Sequence, residues 1–343
     1  MRSAFRTLLV SALGIGLVAL FLRNADFTRV AEGVRTARLE LLLLAIALTM
    51  LTYVVRTQRW QYLLEPLGPT RFSVAFRTTV IGFAASSVFP ARAGEVIRPY
   101  LLARREGLSA TSTFATIIVE RILDLVAVLV LLATYLLAFD PGMAARDSAL
   151  FAAIRLGGLV MAPVAVLSLA LMFVLAGHPE WLQVWLRRAD RWLPARLAGL
   201  LGRIATMLAN GFGVLRRPER LVASLGWSIV LWLIICSETW AVARAFHIAM
   251  PMVGSWLMLA LLVVGVAVPT PGGVGGFHEA FRLGATAFFA ADNNAAIGAA
   301  ILLHATSYVP VTLLGLWFAV RDGLSLHGIK HMAETPEPVE VKA

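Results

Sequence analysis

The chain has little charge and almost no cysteine for its 343 residues. Only 15% of the residues are charged, whereas 59% are hydrophobic and the mean hydropathy is +0.80, which excludes an ordinary soluble domain. The single cysteine, Cys236, lies in an apolar run, so an intrachain disulfide framework is excluded and a thiolate metal site is disfavoured. This composition indicates a polytopic membrane protein.

Lysine is also scarce, since Lys330 and Lys342 are the only two. The formal net charge of +10 therefore comes mainly from arginine. A strongly positive chain is typical of proteins that bind nucleic acid. The arginines are scattered among apolar segments, and no nucleic-acid-binding motif accompanies them. We expect no nucleic-acid partner and attribute the positive charge to membrane topology.

Enzyme signatures are missing as well. His278 and Glu279 begin like the helix of a zinc protease, but position 282 holds arginine where that motif requires a second histidine. The glycines between 272 and 276 follow no strand and make no dinucleotide-binding fingerprint, and no phosphate-binding loop of the nucleotide-hydrolase type is present. We predict no metal, no cofactor and no catalytic residue.

Long apolar runs supply the framework of the predicted fold. Several are long enough to cross about 30 Å of hydrocarbon at about 1.5 Å per helical residue, and none alternates as barrel strands do. We predict an all-α polytopic membrane protein with about six full transmembrane helices, at residues 8–22, 39–55, 113–139, 150–176, 221–243 and 295–320. Two opposed re-entrant helical hairpins complete it, as in an inverted repeat.

The first predicted hairpin centres on residues 86–102, SSVFPARAGEVIRPYLL. Pro90 lacks an amide hydrogen and Gly94 costs a helix about 1 kcal/mol against alanine, so the segment predicts a helix, a sharp turn and a second helix. Arg92, Glu95 and Arg98 fall in the first turns of that second helix, where Glu95 and Arg98 share one face.

A second hairpin is predicted at residues 263–283, VVGVAVPTPGGVGGFHEAFRL. Its prolines end one helix, its glycines form a pliable turn, and the next helix opens with His278, Glu279 and Arg282. The turn residues are Pro269, Pro271, Gly272, Gly273, Gly275 and Gly276. In both hairpins a glutamate precedes an arginine by three residues, and broken helices at corresponding places in two halves of a membrane protein indicate a buried binding site.

Irregular backbone at membrane depth needs burial in protein or a wet cavity, because each unsatisfied amide in hydrocarbon costs several kcal/mol. The two breaks therefore predict an interior polar space. Helix N-termini near Ala93 and Gly276, together with Arg92 and Arg98, favour an anion there, and in a membrane a phosphate is the obvious candidate. The alternative is that the acidic and basic residues of each hairpin only form ion pairs that hold it closed.

A second charged group lies inside a predicted span, at Glu120, Arg121 and Asp124. Charge at mid-bilayer costs about 2.5–3.5 kcal/mol, so these side chains face the protein interior or lie near the interface. Arg121 and Asp124 can pair on one face, and this structural role is as well supported as contact with substrate. Weaker candidates are Glu238, Arg244, His304 and Tyr308.

The arginine distribution predicts the orientation. Eight arginines lie in the basic amphipathic segment 177–220, which we place flat in the cytoplasmic interface. The N-terminus and a disordered tail at 322–343 are then cytoplasmic, and residues 1–321 form the transmembrane domain. Arg56 and Arg59 are expected at the cytoplasmic surface, with Trp60 and Tyr62 in the interfacial belt. The rival topology counts both hairpins as full spans.

Three motifs carry a resemblance to a known family: PARAGEVIRPYLL at 90–102, ERILD at 120–124 and PTPGGVGGFHE at 269–279. In their order and spacing, and in RTQRWQYLL at 56–64, the sequence resembles the transmembrane, flippase-like region of the lysylphosphatidylglycerol synthase family over nearly its whole length. By position, the resemblance singles out Arg92, Gly94, Glu95, Arg98, Glu120, Arg121, Asp124, Pro271, Gly273, Gly276 and Glu279.

The resemblance implies a multi-pass protein of the cytoplasmic membrane that moves a lipid or lipid-linked head group between leaflets, with anionic phospholipids, glycolipids and hopanoids as candidate lipids. Full synthases carry a soluble aminoacyl-transfer domain after the membrane region, whereas this chain ends at Ala343. We therefore expect it not to make lysylphosphatidylglycerol by itself. Substrate contacts are expected at Arg92, Glu95, Arg98, Glu120, Arg121, Asp124, Glu279 and Arg282.

Two other functions stay open. An intramembrane transferase acting on a lipid phosphate would use Glu95, Glu120 or Asp124 as its general base. A membrane scaffold would instead bind a lipid-modifying enzyme as its partner, and a homo-oligomer is compatible with either function.

Overall fold

A computed structural model describes residues 2–89, 93–138, 148–177, 218–268 and 270–324. Within these ranges the chain forms eleven α-helices and no strand, so the predicted all-α class is confirmed. Most of the predicted interfacial segment and of the predicted tail lies outside the described residues, at 178–217 and 325–343.

The helices follow the predicted apolar runs. They are α1 (Arg2–Leu22), α2 (Phe27–Thr36), α3 (Leu39–Leu64), α4 (Phe72–Val88), α5 (Gly94–Glu106), α6 (Ala110–Ala138), α7 (Ser148–Gly177), α8 (Pro218–Ala245), α9 (Gly254–Ala267), α10 (Gly276–Phe289) and α11 (Asn293–Arg321). Asp26 caps α2 and Asp292 caps α11, because each carboxylate accepts hydrogen bonds from amides of the first turn. The largest difference is in α3, which continues past its predicted end at residue 55.

Eight of the eleven described helices form two groups that differ in length. α3, α7, α8 and α11 contain stretches that are long enough and apolar enough to cross a membrane. α4 and α5 have 17 and 13 residues, and α9 and α10 have 14 each, so at about 1.5 Å per residue none reaches the roughly 30 Å of a bilayer core. These short helices pack as two pairs, which we call the first hairpin (α4–α5) and the second hairpin (α9–α10).

α3 and α8 run antiparallel and define two ends of the helix bundle. At the first end, Arg220 near the start of α8 donates to Glu65, which follows α3 (Nη2–Oε1 3.2 Å). At the second end, the Arg38 amide before α3 donates to the carbonyl of Ala245, the last residue of α8 (3.1 Å).

The first hairpin opens at the first end of the bundle. Only a short connection, residues 65–71, separates the end of α3 from the start of α4. Arg71, just before α4, donates to Glu106, the last residue of α5 (Nε–Oε1 3.3 Å), so both termini of this hairpin lie together.

The second hairpin opens at the second end. Residues 246–253 connect the end of α8 to the start of α9, and a Cβ built on Gly254 would lie 2.7 Å from the ring of Phe289 at the end of α10. The last turn of α4 meets the turn of the second hairpin, because a Cβ built on Gly272 would lie 3.6 Å from the carbonyl oxygen of Ser87. The hairpins therefore approach from opposite ends of the bundle and are in contact where α4 ends.

A pair of glycines closes each hairpin. Gly82 of α4 faces Gly94 of α5, and Gly265 of α9 faces Gly276 of α10. A Cβ built on Gly94, Gly265 or Gly276 would overlap the backbone carbonyl of its partner. Because no side chain separates them, the helix backbones approach closely, as small residues allow in membrane proteins.

Candidate functional site

A cavity of about 580 Å³ lies between the two hairpins. Its walls come from both hairpins and from α3, α6, α8 and α11, and its volume is within the range of about 300–1,000 Å³ that is usual for ligand pockets. Four of the predicted site residues line it, namely Glu95, Arg98, Arg121 and Asp124. The sequence motifs of the first hairpin and of α6 thus meet at one cavity.

Glu120 lies at the centre of a buried network of ion pairs next to the cavity. Its side chain has no exposed surface, and its carboxylate accepts hydrogen bonds from Arg98 (Nη1–Oε1 3.0 Å) and Arg121 (Nη2–Oε1 2.6 Å). Two arginines of α3 add to it, since Arg59 lies 3.2 Å and Arg56 3.6 Å from the same oxygen. Arg98 is therefore paired with α6, whereas the sequence suggested Glu95 as its partner.

Asp124, one helical turn further along α6, joins the same network. It accepts hydrogen bonds from Arg59 (Nη1–Oδ1 2.5 Å) and from the indole of Trp232 on α8 (Nε1–Oδ1 3.1 Å). The predicted pair between Arg121 and Asp124 is confirmed, with 3.2 Å between Nη2 and Oδ2. Arg59 also donates to the Ser228 hydroxyl (Nη1–Oγ 2.8 Å), whereas its Nε has no hydrogen-bond partner among the described residues.

Arg56, Arg59 and Trp60 are buried, so their predicted placement at the membrane surface is wrong. Arg59 and Trp60 have no exposed surface, and Arg56 is 6% exposed. Trp60 donates to the Thr116 hydroxyl (2.9 Å), and the Arg98 guanidinium stacks over its indole at 3.8 Å. The physical reason is the pair of carboxylates on α6, which need buried cations on the facing helix.

One signal in the sequence could have found these residues. The arginines and tryptophan of α3 fall at positions 56, 59 and 60, followed by Leu63 and Leu64, which is the spacing of a single helix face. Leu63 and Leu64 are also completely buried. The charge of the arginines suggested a surface, whereas their periodicity indicated the interior.

The network carries an excess of positive charge. Four arginines face two carboxylates within the network itself, and two further acids, Glu95 and Glu238, line the same cavity. Arg98 is 3% exposed, and its Nε and Nη2 atoms have no hydrogen-bond partner among the described residues. A buried donor without a partner costs about 1–3 kcal/mol, so an anion that reached these two donors would stabilise this arrangement.

The turn of the second hairpin presents backbone to the cavity. Gly272, Gly273 and Gly275 have φ angles of 60°, 70° and 89°, which glycine adopts without strain. The Nε2 atom of His304 lies 2.8 Å from the Gly272 carbonyl oxygen, so α11 fixes this turn in place. Three predicted turn or site residues lie outside the described part of the chain, namely Pro90, Arg92 and Pro269.

Glu279 and Arg282 do not line the cavity. They pair with each other through two hydrogen bonds (Nε–Oε2 2.7 Å and Nη2–Oε1 2.5 Å), and Arg282 also donates to Asn293 at the start of α11 (3.0 Å). This geometry fits the alternative that the sequence left open, an ion pair that ties the second hairpin to its neighbour.

Comparison with known proteins gives a family. The family described as lysylphosphatidylglycerol synthase TM region matches residues 7–315, which is nearly the whole chain. This chain belongs to that family. The motifs at the hairpins and on α6 lie within the residues that the lysylphosphatidylglycerol synthase TM region family matches, and the resemblance drawn from them is confirmed. Together with the four long apolar helices, it identifies an integral membrane protein.

Two curated relatives are similar over part of the chain. The glycosyltransferase AglD of Haloferax volcanii is 30% identical over 123 residues, which are 35% of this chain and 19% of that protein. The UPF0104 membrane protein MJ1595 of Methanocaldococcus jannaschii is 31% identical over 88 residues, which are 25% of this chain and 26% of that protein. The matched region thus spans about a fifth of the length of the Haloferax protein and about a quarter of the length of the Methanocaldococcus protein.

Proposed function

We propose that the protein moves a lipid with an anionic head group between the leaflets of the cytoplasmic membrane. The head group occupies the cavity between the hairpins, and the acyl chains stay in the bilayer. The single observation that carries this proposal is Arg98, which lines the cavity and whose buried Nε and Nη2 donors have no partner among the described residues. A planar guanidinium suits the oxygens of a phosphate, because it can donate two parallel hydrogen bonds.

Both hairpins are re-entrant in this proposal. Two observations support this: their helices are too short to cross the bilayer, and Ser87, in the last turn of α4, approaches Gly272 in the turn of the second hairpin. Six helices then make full crossings, namely α1, α3, α6, α7, α8 and α11. The turns tolerate irregular backbone at membrane depth because they line a polar cavity, as in transporters built from broken helices.

The first end of the bundle is the cytoplasmic one. The arginine-rich residues 178–217 follow α7 and precede α8, which starts at the first end, and positive segments are retained on the cytoplasmic side. The N-terminus and the end of α11 lie on that side as well. Basic residues next to the membrane would also be attracted to the anionic lipids of the cytoplasmic leaflet.

The candidate substrates are anionic phospholipids, phosphate-linked glycolipids and lipids of the hopanoid class. All offer a polar head of a size that the cavity admits, and the Arg98 guanidinium favours those with a phosphate. The name of the Haloferax relative concerns glycosyl transfer by a much longer protein, which fits a partner enzyme acting on the same lipid.

The geometry disfavours an intramembrane transferase that uses Glu120 or Asp124 as a base. Each carboxylate is held by at least two arginines, and Glu120 has no exposed surface, so neither is placed to take a proton from a substrate. These groups balance charge in the arginine network instead.

Reconstitution in liposomes with a labelled anionic phospholipid and a labelled zwitterionic one tests the proposal. We expect the wild type to speed transfer of the anionic lipid between leaflets. Arg98→Gln should slow it at least tenfold, and Arg98→Lys should retain part of it. The matched control is Arg105→Gln on the same helix, whose arginine pairs with Asp322 (2.9 Å) and does not line the cavity.

Two outcomes would contradict the proposal. One is a folded wild-type protein that accelerates no lipid of any head group. The other is equal loss of transfer in Arg98→Gln and Arg105→Gln, which would mean that the cavity arginine has no special role.

A further inference from the structure

Glu238 is a second buried acid on the cavity wall, and the arginine network does not include it. Trp232, which donates to Asp124, precedes it by six residues on α8, so Glu238 lies about 9 Å further along the helix. Its side chain is 4% exposed. Four side chains with hydroxyl groups, Thr49, Tyr53, Ser307 and Tyr308, also line the cavity. Together with Glu238 we call them the hydroxyl end of the cavity.

Glu238 differs from the other buried acids because it lacks a cation. Glu120, Asp124 and Glu279 each have an arginine within 4.0 Å, whereas none of the described arginines, lysines or histidines lies that close to Glu238. The helices that pack against α8 also place titratable or charged side chains in the cavity wall. These are Tyr53 and Arg56 from α3, Arg121 and Asp124 from α6, and Tyr308 from α11. From α9 only apolar side chains line it.

The hydrogen bonds around Ser307 indicate how Glu238 is stabilised. The Ser307 hydroxyl oxygen lies 2.6 Å from Oε1 of Glu238 and 2.7 Å from the carbonyl oxygen of Leu303. A hydroxyl has one hydrogen, and the Leu303 carbonyl can only accept. If that hydrogen goes to Leu303, the short contact to Oε1 is satisfied when Glu238 carries a proton and donates it to Ser307.

A buried carboxylate without a counter-charge is strongly disfavoured, so the site takes up a cation whenever water is excluded from it. We propose that Glu238 is the proton carrier of this cavity and that its protonation couples the proton gradient to lipid movement. The coupling rests on the proposed function, whereas the proton site does not. The proton enters Glu238 from one side of the membrane and leaves to the other, and no further reactant is needed.

Infrared difference spectroscopy of the full chain in liposomes tests the proton site. As the pH is changed between about 5 and about 9, the wild type should show the C=O band of a protonated carboxylic acid appear and disappear. Glu238→Gln should abolish this band. The matched control, Glu219→Gln, changes an exposed acid at the start of the same helix and should keep it. Ser307→Ala should shift the band by removing its hydrogen-bond acceptor, which provides a test even if Glu238→Gln does not fold.

Three results would overturn the proton site. The first is the absence of any band that responds to Ser307→Ala or Glu238→Gln. The second is a band that sodium displaces at constant pH, which would indicate a sodium site. The third is displacement of the band by a lipid with a cationic head group, which would make Glu238 a substrate contact.

The coupling is measured separately, as lipid transfer under an imposed pH gradient. We expect the wild-type rate to change at least tenfold when the gradient is reversed, and the Glu238→Gln rate to be the same in both directions. Equal dependence on the gradient in both proteins would overturn the coupling. If the wild type moves no lipid, the transport proposal fails, while the infrared result still decides the proton site.

Discussion

The carboxylate of Glu120 has four arginine side chains within 4.0 Å and no contact with solvent. Such a group cannot be removed without consequence, because each arginine would keep its charge in a dry interior. The same reasoning explains why three different helices converge there. α3, α5 and α6 each contribute at least one charged side chain, so the network also fixes their relative positions.

Replacing Glu120 tests the network directly. Glu120→Gln keeps the shape but leaves buried arginines without their counter-charge, so we expect a loss of about 3–5 kcal/mol in the free energy of unfolding. The control is Glu65→Gln, because that side chain is 56% exposed and its pair with Arg220 should contribute at most about 1 kcal/mol. Thermal unfolding of both variants in detergent gives the comparison. Equal stability of the two variants would contradict a network centred on Glu120.

Sequence reasoning identified the acids and one of the pairs, but not the whole network. Glu120, Asp124 and Arg121 are conspicuous because they interrupt an apolar run. Arg56 and Arg59 are not, since they follow a span and precede a polar stretch, where arginine is usually a topology signal. Which arginine pairs with which acid depends on how α3 packs against α6, and no local pattern in either helix specifies that.

At the scale of helices, the two hairpins share one construction. Each has two short helices and a pair of facing glycines. The break was predictable, because proline and glycine disturb helices wherever they occur. The partners Gly82 and Gly265 were not, since each lies in an otherwise ordinary apolar helix and becomes important only when the second helix folds back on it.

Gly94→Ala tests the close contact in the first hairpin. A Cβ at this position would overlap the Gly82 carbonyl, so α4 and α5 must separate, and we expect a loss of several kcal/mol in unfolding free energy together with loss of lipid transfer. The control is Gly226→Ala in α8, where a Cβ meets nothing within 4 Å. That change should be neutral or stabilise the helix by up to about 1 kcal/mol. Tolerance of alanine at position 94 would show that the helices are not in close contact.

At the scale of the whole molecule, the two hairpins approach from opposite ends of the bundle, and the end of α4 meets the turn of the second hairpin. The sequence predicted two opposed hairpins and left a topology with full spans as the rival. The contact between the hairpins could not be predicted in the same way. Hydropathy measures how apolar a helix is, whereas this contact joins residues that are far apart in sequence, Ser87 and Gly272.

The central claim is that both turns lie at the same depth and enclose the cavity, and cross-linking tests it most directly. Ser87→Cys and Val274→Cys are combined in a Cys236→Ala background in native membranes, and a short thiol-reactive cross-linker is added. The control pair is Arg71→Cys with Met252→Cys, at opposite ends of the bundle. We predict an intramolecular cross-link for the first pair and none for the control. The claim would be contradicted if the first pair did not cross-link and a membrane-impermeant reagent labelled residue 87 from one side of the membrane and residue 274 from the other.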